Sequence, residues 1–439
     1  MVMMDLFKLS RNCRSEIAHD SDTPIEFLSV LASDPDKYIR WLVARNENTT
    51  DEILLKLTAD SYRDVRSSIA NRKNLSAEIL DKLANDPCEY INYSVAGHSN
   101  TSHQTLDRLA AHSFVLVRMA VALNHNTSPE SLTKLADDSE KEVRENVARN
   151  CKTPIEVLSK LADDLEKEVR ECVAWNLNTS VEISTKLADD PEKKVREAVA
   201  SNRNTPVEVL AKLADFSEGK VRRLVAENCN TSAETLAKLA DDSNEYVRQY
   251  VAKNRKTSAE TLAKLANDSE EDVRRYVAGN VNTPGEILHK LADDTSYWIR
   301  MRLANNPKTS LPTLVKIASS TVFISDLELI YCISKHPNSS ALLLNYILEH
   351  MPSYYYTGDR DIYRNIYTNI AKHQKSTAAI LSSLVATTNN DSSVLIEVAK
   401  HPNTPSDILQ QLMNSKIQTI REAATANFAS KLDKHIYHF

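Results

Sequence analysis

The sequence predicts an all-α protein, a superhelical solenoid of about fifteen two-helix repeats of 26 residues each. Two observations support this prediction. One motif returns at a constant interval along most of the chain. Glycine is scarce, with five residues in 439, although strand-and-turn folds need residues that tolerate positive φ in their tight turns. The abundant residues, Ala, Leu, Lys and Glu, favour helix.

The repeated motif reads T-P/S-x-E-x-L-x-K-L-A-D-D-S-x-x-x-V-R-x-x-V-A-x-N-x-N. Its first position recurs over eleven consecutive intervals of 26 residues, with Leu75 once in place of threonine. We name each copy by that position and count from it. Looser copies start at Ser339, Ser376 and Thr404, and half a copy around Arg14 precedes the array. The regular copies start at Thr23, Thr49, Leu75, Thr101, Thr127, Thr153, Thr179, Thr205, Thr231, Thr257, Thr283 and Thr309.

Each copy predicts two short helices of about eleven residues, too short to be stable alone in water. In the copy at Thr153, the threonine and Glu156 match a capping box, and Pro154 suits the first helical position. Leu158 and Leu161 then give one apolar face. Asp164 announces the second helix, where Val169 and Val173 lie four residues apart. Stacking against neighbouring copies supplies the burial that each helix lacks.

Two polar positions recur with the motif. An aspartate precedes an arginine by six residues, as in Asp164 and Arg170. This pattern predicts either a row of ligand-binding arginines or, as we favour, a ladder of Arg–Asp pairs that joins adjacent copies. Position 23 is usually asparagine, as at Asn176, and one buried amide in each copy can satisfy loop backbone. Histidine replaces it at His98, His336, His373 and His401, where we expect a hydrogen-bonding substitute.

The pattern divides the chain into three parts. Residues 1–22 are a half-copy cap, residues 23–320 are regular copies, and residues 321–439 are degenerate copies with insertions and a C-terminal cap. Extra residues enter near Thr321–Asp326 and between Leu348 and Ile362. The second insertion contains Tyr354–Tyr356. Long loops of this kind are often functional, but we favour the alternative of a terminal array that has drifted and serves as a cap.

The motif L-A-D-D-x-x-x-x-V-R-x-x-V-A-x-N-x-N-T-P-x-E-x-L resembles the bacterial leucine-rich repeat variant family and, through its Asp…Val-Arg element, HEAT-like repeats. The resemblance covers residues 14–320 well and 321–430 loosely. It implies a right-handed superhelix in which the first helix of each copy is partly 3₁₀. The N-terminal cysteine cluster for iron–sulfur binding in that family is not carried over, because only Cys13 lies there.

No enzyme signature appears in the sequence. GxSxG, P-loop, GxGxxG and HExxH motifs are missing, and the six cysteines form no C-x-x-C pair. We therefore expect a non-enzymatic protein without cofactor or metal. The scattered cysteines, the lack of a secretory leader and the lack of a long apolar stretch predict a cytoplasmic protein that does not span a membrane.

The positions that vary among copies indicate where specificity lies. Positions 15, 18 and 22 of the second helix face away from the valine pair, so we expect them to be exposed. Early copies carry Tyr38, Trp41, Arg45, Tyr90 and Tyr93 there, and middle copies carry Glu142, Glu145, Glu168, Glu171, Trp175 and Glu197. We interpret the glutamates as a solvated face, because Lys141, Lys167 and Lys193 precede Glu145, Glu171 and Glu197 by four residues.

Later copies combine arginine and aromatic residues at these positions, which is the composition of binding surfaces. A partly buried aromatic row beside solvated charges is the equally weighted alternative. Arg248, Arg274, Arg300 and Met301 flank the set. The predicted partner-binding residues, here called the Arg/Tyr strip, are Arg222, Arg223, Tyr246, Tyr250, Lys253, Arg275, Tyr276, Trp298 and Arg302.

Three functional hypotheses follow. The leading one is a protein-interaction scaffold that binds an acidic or extended protein segment along the second-helix groove. The alternative is nucleic-acid binding through the same strip, with arginines on phosphates and aromatic rings on bases. The net charge of −6 and the glutamate copies count against it. A role as an accessory to an enzyme or to chromophore attachment has no residue that marks it.

Overall fold

The computed structural model describes residues 6–321, 326–351, 360–388 and 391–436. Their regular structure is α-helical, apart from a 3₁₀ turn at Leu6–Lys8, and none of these residues lies in a strand. The predicted all-α class is confirmed. Within the same residues, no helix is both long and apolar enough to cross a membrane.

The chain forms two compact units, one up to Phe216 and one from Ser217. The division falls inside the regular copies, so the repeat pattern does not mark it. Helices of the first unit are α1 (Arg11–His19), α2 (Ile25–Leu31), α3 (Lys37–Arg45), α4 (Asp51–Leu57), α5 (Arg63–Ala70), α6 (Ala77–Leu83), α7 (Glu89–Gly97), α8 (His103–Leu109), α9 (Val115–Leu123), α10 (Pro129–Leu135), α11 (Lys141–Arg149), α12 (Ile155–Leu161), α13 (Lys167–Trp175), α14 (Val181–Leu187), α15 (Lys193–Ser201) and α16 (Val207–Leu213).

The second unit continues the alternation of shorter and longer helices and becomes irregular toward its end. Its helices are α17 (Gly219–Glu227), α18 (Ala233–Leu239), α19 (Glu245–Lys253), α20 (Ala259–Leu265), α21 (Glu271–Gly279), α22 (Gly285–Leu291), α23 (Tyr297–Asn305), α24 (Leu311–Ser319), α25 (Leu327–Lys335), α26 (Ala341–His350), α27 (Arg360–Lys372), α28 (Ala378–Thr387), α29 (Ser392–Lys400), α30 (Ser406–Met413) and α31 (Gln418–Ile436).

In the regular copies the helices are shorter than predicted. The first helix has seven residues, as in α12, and the second nine, as in α13. The first helices are α-helical, so the partly 3₁₀ geometry implied by the family resemblance is wrong here. Neither helix could persist alone at this length, and neighbouring copies must supply the stabilising contacts.

Within each unit, the second helices pack on one another in series, and each first helix packs against the second helix of its own copy. The predicted apolar positions form the core: Leu158, Leu161, Val169 and Val173 have at most 1% of their surface exposed. Burying a Val or Leu side chain stabilises a fold by roughly 1.5–3 kcal/mol. The recurring Leu and Val positions therefore supply the main driving force of the array.

The capping box predicted at Thr153 is wrong. Helix α12 starts one residue later than expected, so Pro154 is its N-cap and makes no side-chain cap bond. The Thr153 hydroxyl instead donates to the carbonyl of Val147, 2.5 Å away in the preceding helix. In copies with serine after the threonine, that serine is the N-cap; Ser128, for example, accepts from the Ser131 amide. The buried threonine thus ties the turn between copies to the preceding second helix.

In the late copies the first hydroxyl, at Ser339, Ser376 and Thr404, still donates to the preceding helix. Some helices there are longer, such as α27 and α31. The insertion with Tyr354–Tyr356, for which a functional loop and a drifted terminal cap were the two interpretations, lies outside the described residues. The handedness of the superhelix and the three-part division of the chain remain predictions.

Candidate protein-interaction surface

A ladder of arginine–aspartate pairs joins adjacent copies and sets the frame for the variable surface. Arg144 Nε donates to Asp164 of the next copy at 2.6 Å, and its Nη1 donates to the Asp138 carbonyl of its own copy. The Asp164 carboxylate also accepts from the backbone amide of Glu166, the N-cap residue of α13. The favoured ladder is confirmed. Its pairs are Arg14–Asp34, Arg40–Asp60, Arg66–Asp86, Arg118–Asp138, Arg144–Asp164, Arg170–Asp190, Arg222–Asp242, Arg248–Asp268 and Arg274–Asp294.

These contacts stabilise the charged forms of the ladder residues. Partial burial alone would raise the pKa of Asp164, but hydrogen bonds from Arg144 and the Glu166 amide, with the Arg144 charge, outweigh burial and lower it. The hydrogen bond to Asp164 raises the pKa of Arg144. In one copy Asn92 and His112 replace the pair, with their nitrogens 3.2 Å apart. Arg300 has no aspartate 20 residues later, because Ser320 stands there. Its buried Nε has no partner among the described residues.

A second ladder runs through position 23. The Asn176 amide donates to the Ala148 and Asn150 carbonyls of the preceding copy, at 2.7 and 3.1 Å, and its oxygen accepts from the Asn178 amide. The predicted buried amide is confirmed, and it bridges two copies. Equivalent asparagines are Asn46, Asn124, Asn150, Asn202, Asn254, Asn280 and Asn306.

Histidine substitutes for this asparagine in the late copies, as predicted. His336, His373 and His401 each place Nε2 2.9–3.1 Å from a carbonyl of the preceding copy. In each of them Nδ1 accepts from the backbone amide two residues later. One ring nitrogen donates and the other accepts, which requires the neutral imidazole. Burial lowers the pKa of both His336 and His401, although the carbonyl contact at Nε2 opposes the shift.

These ladders account for one residue of the predicted Arg/Tyr strip. Arg222 is a ladder arginine that donates to both Asp242 oxygens and to the Ser217 carbonyl. Arg248 and Arg274, which flank the strip, are ladder residues too. Their guanidinium groups hold copies together and leave the outward positions to carry any partner contact.

The remaining strip residues lie in the second unit on four successive second helices, α17, α19, α21 and α23. Position 15 is exposed as expected, with Tyr246 56% and Trp298 57% exposed. Position 18 is not: Gln249 is only 9% exposed, and the side chains of Arg223 and Arg275 are 25% and 27% exposed. The expectation that position 18 lies in open solvent is therefore wrong. Its residues are largely covered, and their long side chains extend to the edge of the strip.

Tyr250 is the centre of a stack formed by two copies. The Arg223 guanidinium of the preceding copy lies 4.9 Å from its ring centroid, and the Lys253 ammonium of its own helix lies 5.2 Å away. Cations at this distance from an aromatic ring are attracted by about 0.5–1 kcal/mol at exposed sites. The stack holds two positive groups beside one half-buried ring.

The next two copies extend the same surface. The Arg275 guanidinium lies 5.4 Å from the Tyr276 ring centroid. Gly279 leaves room beside α21 for Arg302, whose Cδ would lie 3.5 Å from a Cβ at that glycine. Trp298 makes an edge contact with Tyr297, with ring centroids 5.4 Å apart. Aromatic and cationic groups therefore continue across all four helices.

The strip is positive in an acidic chain. Outward positions 15, 18, 19 and 22 of its four copies hold five cations and two carboxylates, a net charge of +3. Both carboxylates pair with strip arginines, Glu227 with Arg223 at 3.1 Å and Asp272 with Arg275 at 2.9 Å. Both carboxylates are partly open to solvent, Glu227 46% and Asp272 50% exposed, so these pairs contribute little and a carboxylate from a partner can replace them. The cations are Lys220, Arg223, Lys253, Arg275 and Arg302.

The glutamate face of the middle copies is paired, but mostly not as predicted. Lys193 and Glu197 make the expected contact four residues apart, at 3.7 Å. Lys141 and Lys167 reach instead to Glu168 and Glu192 of the next copy, at 3.8 and 3.9 Å. Stacking brings a carboxylate of the next copy within reach of each lysine, which spacing along one helix does not reveal.

Two outward surfaces of the first unit stand apart from the strip. Tyr38 stacks on Trp41, and Arg11 and Arg45 lie over the two rings. The second surface is on the copy at Thr101, whose outward residues Leu116, Met119 and Leu123 are all apolar. Most other regular copies carry at least one charged residue at these positions, so three apolar residues together are a signal in the sequence. Among the described residues, no group of three His, Cys, Asp or Glu is placed to hold a metal ion.

No protein-family model matches the chain, and no curated protein matches it significantly. Among solved structures, a leucine-rich repeat variant with a novel repetitive structural motif is 25% identical, over 54% of this chain and 87% of its own, with a TM-score of 0.38. Yeast importin-β (Kap95p) is 11% identical over 99% of this chain and 71% of its own, with a TM-score of 0.40. Kap121p bound to Nup53p is 12% identical over 95% of this chain and 53% of its own, with a TM-score of 0.38.

Likenesses of this strength carry no functional argument, and the fold rests on the chain's own helices and ladders. In that fold, the chain is similar to leucine-rich repeat variant and HEAT-like repeat proteins.

Proposed function

We propose that the chain is a protein-interaction scaffold and that the Arg/Tyr strip, without Arg222, binds an acidic, extended segment of a partner. The observation that carries the proposal is the stack of Arg223, Tyr250 and Lys253 across two copies. It places cations and an aromatic ring together on helices whose other residues are committed to the core and the ladders.

The chemistry of the strip fits carboxylates. Arg223 and Arg275 each already donate to a carboxylate of their own helix, in pairs whose carboxylates are partly open to solvent. An incoming Asp or Glu can take their place and gain contact with Tyr246, Tyr250 or Trp298, the residue types that dominate binding energy at protein interfaces. Kap121p bound to Nup53p is a solenoid-like neighbour that holds a protein, but at a likeness too weak to extend to this chain.

Packed helices lie about 8–10 Å apart, and an extended chain rises about 3.3 Å per residue. A partner segment that crosses α17, α19, α21 and α23 therefore meets a new copy every three residues. About ten to twelve residues would span the strip, with acidic side chains repeating at that interval.

The test is the triple variant Arg223→Ala/Tyr250→Ala/Arg275→Ala. Because these residues are half-buried and stacked, we expect the free energy of unfolding to fall by about 1–2 kcal/mol, with helix content unchanged. Proteins captured by the wild-type chain from an extract of its native host should be lost from the variant, as measured by quantitative mass spectrometry.

The matched control is Arg149→Ala/Trp175→Ala, which removes an exposed arginine and an exposed aromatic residue from the first unit. It should keep the captured set. Equal capture by the triple variant would contradict the proposal. Salt-dependent binding of single-stranded DNA that the triple variant loses would favour the nucleic-acid alternative instead.

A further inference from the structure

An open groove of about 880 Å³ crosses the second helices α5, α7 and α9 of the first unit. Its floor is hollow because three small side chains, Ser94, Gly97 and Ala120, line it, at positions where several other copies carry larger residues such as Leu42, Arg149 and Tyr250. A Cβ placed on Gly97 would meet nothing within 4 Å. The volume lies within the range of ordinary ligand pockets.

One side of the groove is apolar and partly exposed to solvent. Helix α9 buries Val117 and Val121 in the core, yet its outward residues Leu116, Met119 and Leu123 are apolar as well. Leu123 is 53% exposed, and Tyr93 of the neighbouring helix is 44% exposed. A helix that is apolar on every face is normally buried. Methionine beside leucine is also typical of surfaces that adapt to a bound segment.

The other side is basic. Arg72 occupies position 23, where its Nη1 donates to the Ala44 and Asn46 carbonyls. Burial lowers the pKa of Arg72, against the raising effect of Asp51 and Glu47. Lys73 follows it, exposed and without an ion pair to any described residue. None of the residues that line the groove is Asp or Glu, in a chain with more acidic than basic residues.

We infer that this groove is a second docking site, which takes an extended peptide segment with an aliphatic cluster at one end and carboxylates at the other. The aliphatic side chains lie on Leu116, Met119 and Leu123, and the carboxylates meet Lys73 and the edge of Arg72. The two sides are two copies apart, roughly 16–20 Å at 8–10 Å per packed helix. In an extended chain this separation is five or six residues.

The site is independent of the Arg/Tyr strip, which lies in the other unit and offers no comparable aliphatic surface. It therefore does not rest on the proposed function. The two surfaces differ in what they select: the strip needs acidic residues at intervals of about three, whereas the groove needs leucine-like residues at a fixed distance from the acids.

The probe is a fluorescein-labelled ten-residue peptide with two leucines at one end, four central serines and Glu-Ser-Glu-Glu at the other end. It is made in both chain directions. Two control peptides replace the leucines by serine or the glutamates by lysine. Fluorescence anisotropy measures the Kd for the wild-type chain, for Gly97→Tyr, which plugs the groove, and for Gly285→Tyr. The last is a matched control, because a Cβ on Gly285 also meets nothing within 4 Å.

We expect the leucine–glutamate peptide, in one direction, to bind at least tenfold more tightly than either control peptide. Gly97→Tyr should weaken it at least tenfold, and Gly285→Tyr should not. Leu123→Glu serves as a second groove variant with the same expected loss, should tyrosine at position 97 disturb the fold.

Equal binding of the lysine peptide, unchanged binding to both groove variants, or no binding by the leucine–glutamate peptide would overturn the inference. If the strip triple variant alone loses the peptide, the groove is overturned and the proposed function is supported. If the groove variants alone lose it, the inference holds whatever the strip binds.

Discussion

At the scale of single residues, the side chain at position 23 shows how one group can serve two copies. The Asn176 amide donates to two carbonyls of the preceding copy, and its oxygen accepts from the turn of its own copy. All three contacts form within a residue that is only 5% exposed. Asn178, two residues on, makes one exposed bond to the Cys151 carbonyl.

We therefore predict that Asn176→Ala destabilises the chain more than its neighbour Asn178→Ala. The first change removes the side-chain donor to the buried Ala148 carbonyl, at a cost of roughly 1–3 kcal/mol, whereas the Asn150 carbonyl keeps its bond from the Thr153 amide. The second exposes its carbonyl to water and should cost less than about 0.5 kcal/mol. Urea unfolding of both variants measures the difference, and equal midpoints would contradict the role assigned to position 23.

The histidines at position 23 give a pH-dependence with a defined sign. The pKa values of His336 and His401 are lower in the folded chain than the ordinary 6.5, so the unfolded chain binds protons first as the pH falls. Their contribution to stability is complete above about pH 6.5 and is lost as the pH drops toward the folded pKa. We expect urea unfolding to show lower stability at pH 5.0 than at pH 7.5.

The double variant His336→Asn/His401→Asn is the control, because asparagine is the residue that the other copies use there. It should lose most of the difference between pH 7.5 and pH 5.0. The ladder aspartates contribute little between pH 5.0 and pH 7.5, because burial raises their pKa values but hydrogen bonds from their arginine partners outweigh it and lower them from the ordinary 3.8. A pH-dependence that the double variant keeps in full would rule out the histidines as its source.

At the scale of elements, two kinds of ion pair join neighbouring copies. Arg248 and Asp268 have side chains only 15% and 7% exposed, with two hydrogen bonds between them. Lys264 reaches Asp241 of the preceding copy through an exposed pair, 53% and 67% exposed. The first pair lies between packed helices, and the second lies in solvent.

We predict that Arg248→Ala costs about 3 kcal/mol, because it leaves Asp268 largely buried without its partner. Lys264→Ala in the same copies should cost less than about 1 kcal/mol. Thermal and urea unfolding of the two variants test the contrast. Similar small losses in both would mean that the buried ladder contributes no more than a surface pair.

Much of each element could be predicted from the sequence. The interval of 26 residues located both helices, the core leucines and valines, and both ladders, because all of them depend on recurrence. The role of Thr153 could not be predicted. The spacing of Thr153 to Glu156 fits a capping box. In the structure, however, α12 begins after Pro154, and the Thr153 hydroxyl donates back to the Val147 carbonyl. The predicted helices are too long partly because the first helix starts one residue later than the capping pattern indicates.

The candidate strip was predicted less well than the fold. Recurrence does not say how closely second helices approach, and that distance decides whether position 18 is open or covered. Gln249 and Arg275 are therefore more buried than the helix periodicity of their own copies indicates. Arg222 belongs to the ladder, as its spacing to Asp242 already allowed. The apolar outward residues of α9 can be found in the sequence by comparing positions 15, 18 and 22 across the copies.

At the scale of the whole molecule, each copy presents the same donors to one neighbour and the same acceptors to the other. Removing residues 153–178, one whole copy of the first unit, would bring Arg144 next to Asp190 in place of Asp164. The neighbours of the gap would then regain an equivalent contact. Stability in such arrays is approximately a sum of copies and of interfaces between neighbours.

We predict that this deletion folds, with the same helix fraction by circular dichroism and a single cooperative transition for the first unit. Deleting residues 153–165, half of the copy, removes half as many residues but breaks both ladders and should abolish that transition. If the half-copy deletion proves as stable as the whole-copy deletion, the description of the chain as an array of equivalent copies is wrong.

The Arg–Asp ladder has a consequence for how such a chain changes over generations. Because every rung joins residues 20 positions apart, a gene duplication or loss of one whole copy preserves each rung, whereas a shift of a few codons destroys several. In the regular copies, heritable change in length that keeps every rung is thereby confined to steps of 26 residues, whereas the degenerate copies after residue 320 carry insertions of other lengths. Between those steps, mutation is free at the outward positions alone, so new binding faces can arise by substitution on an inherited frame.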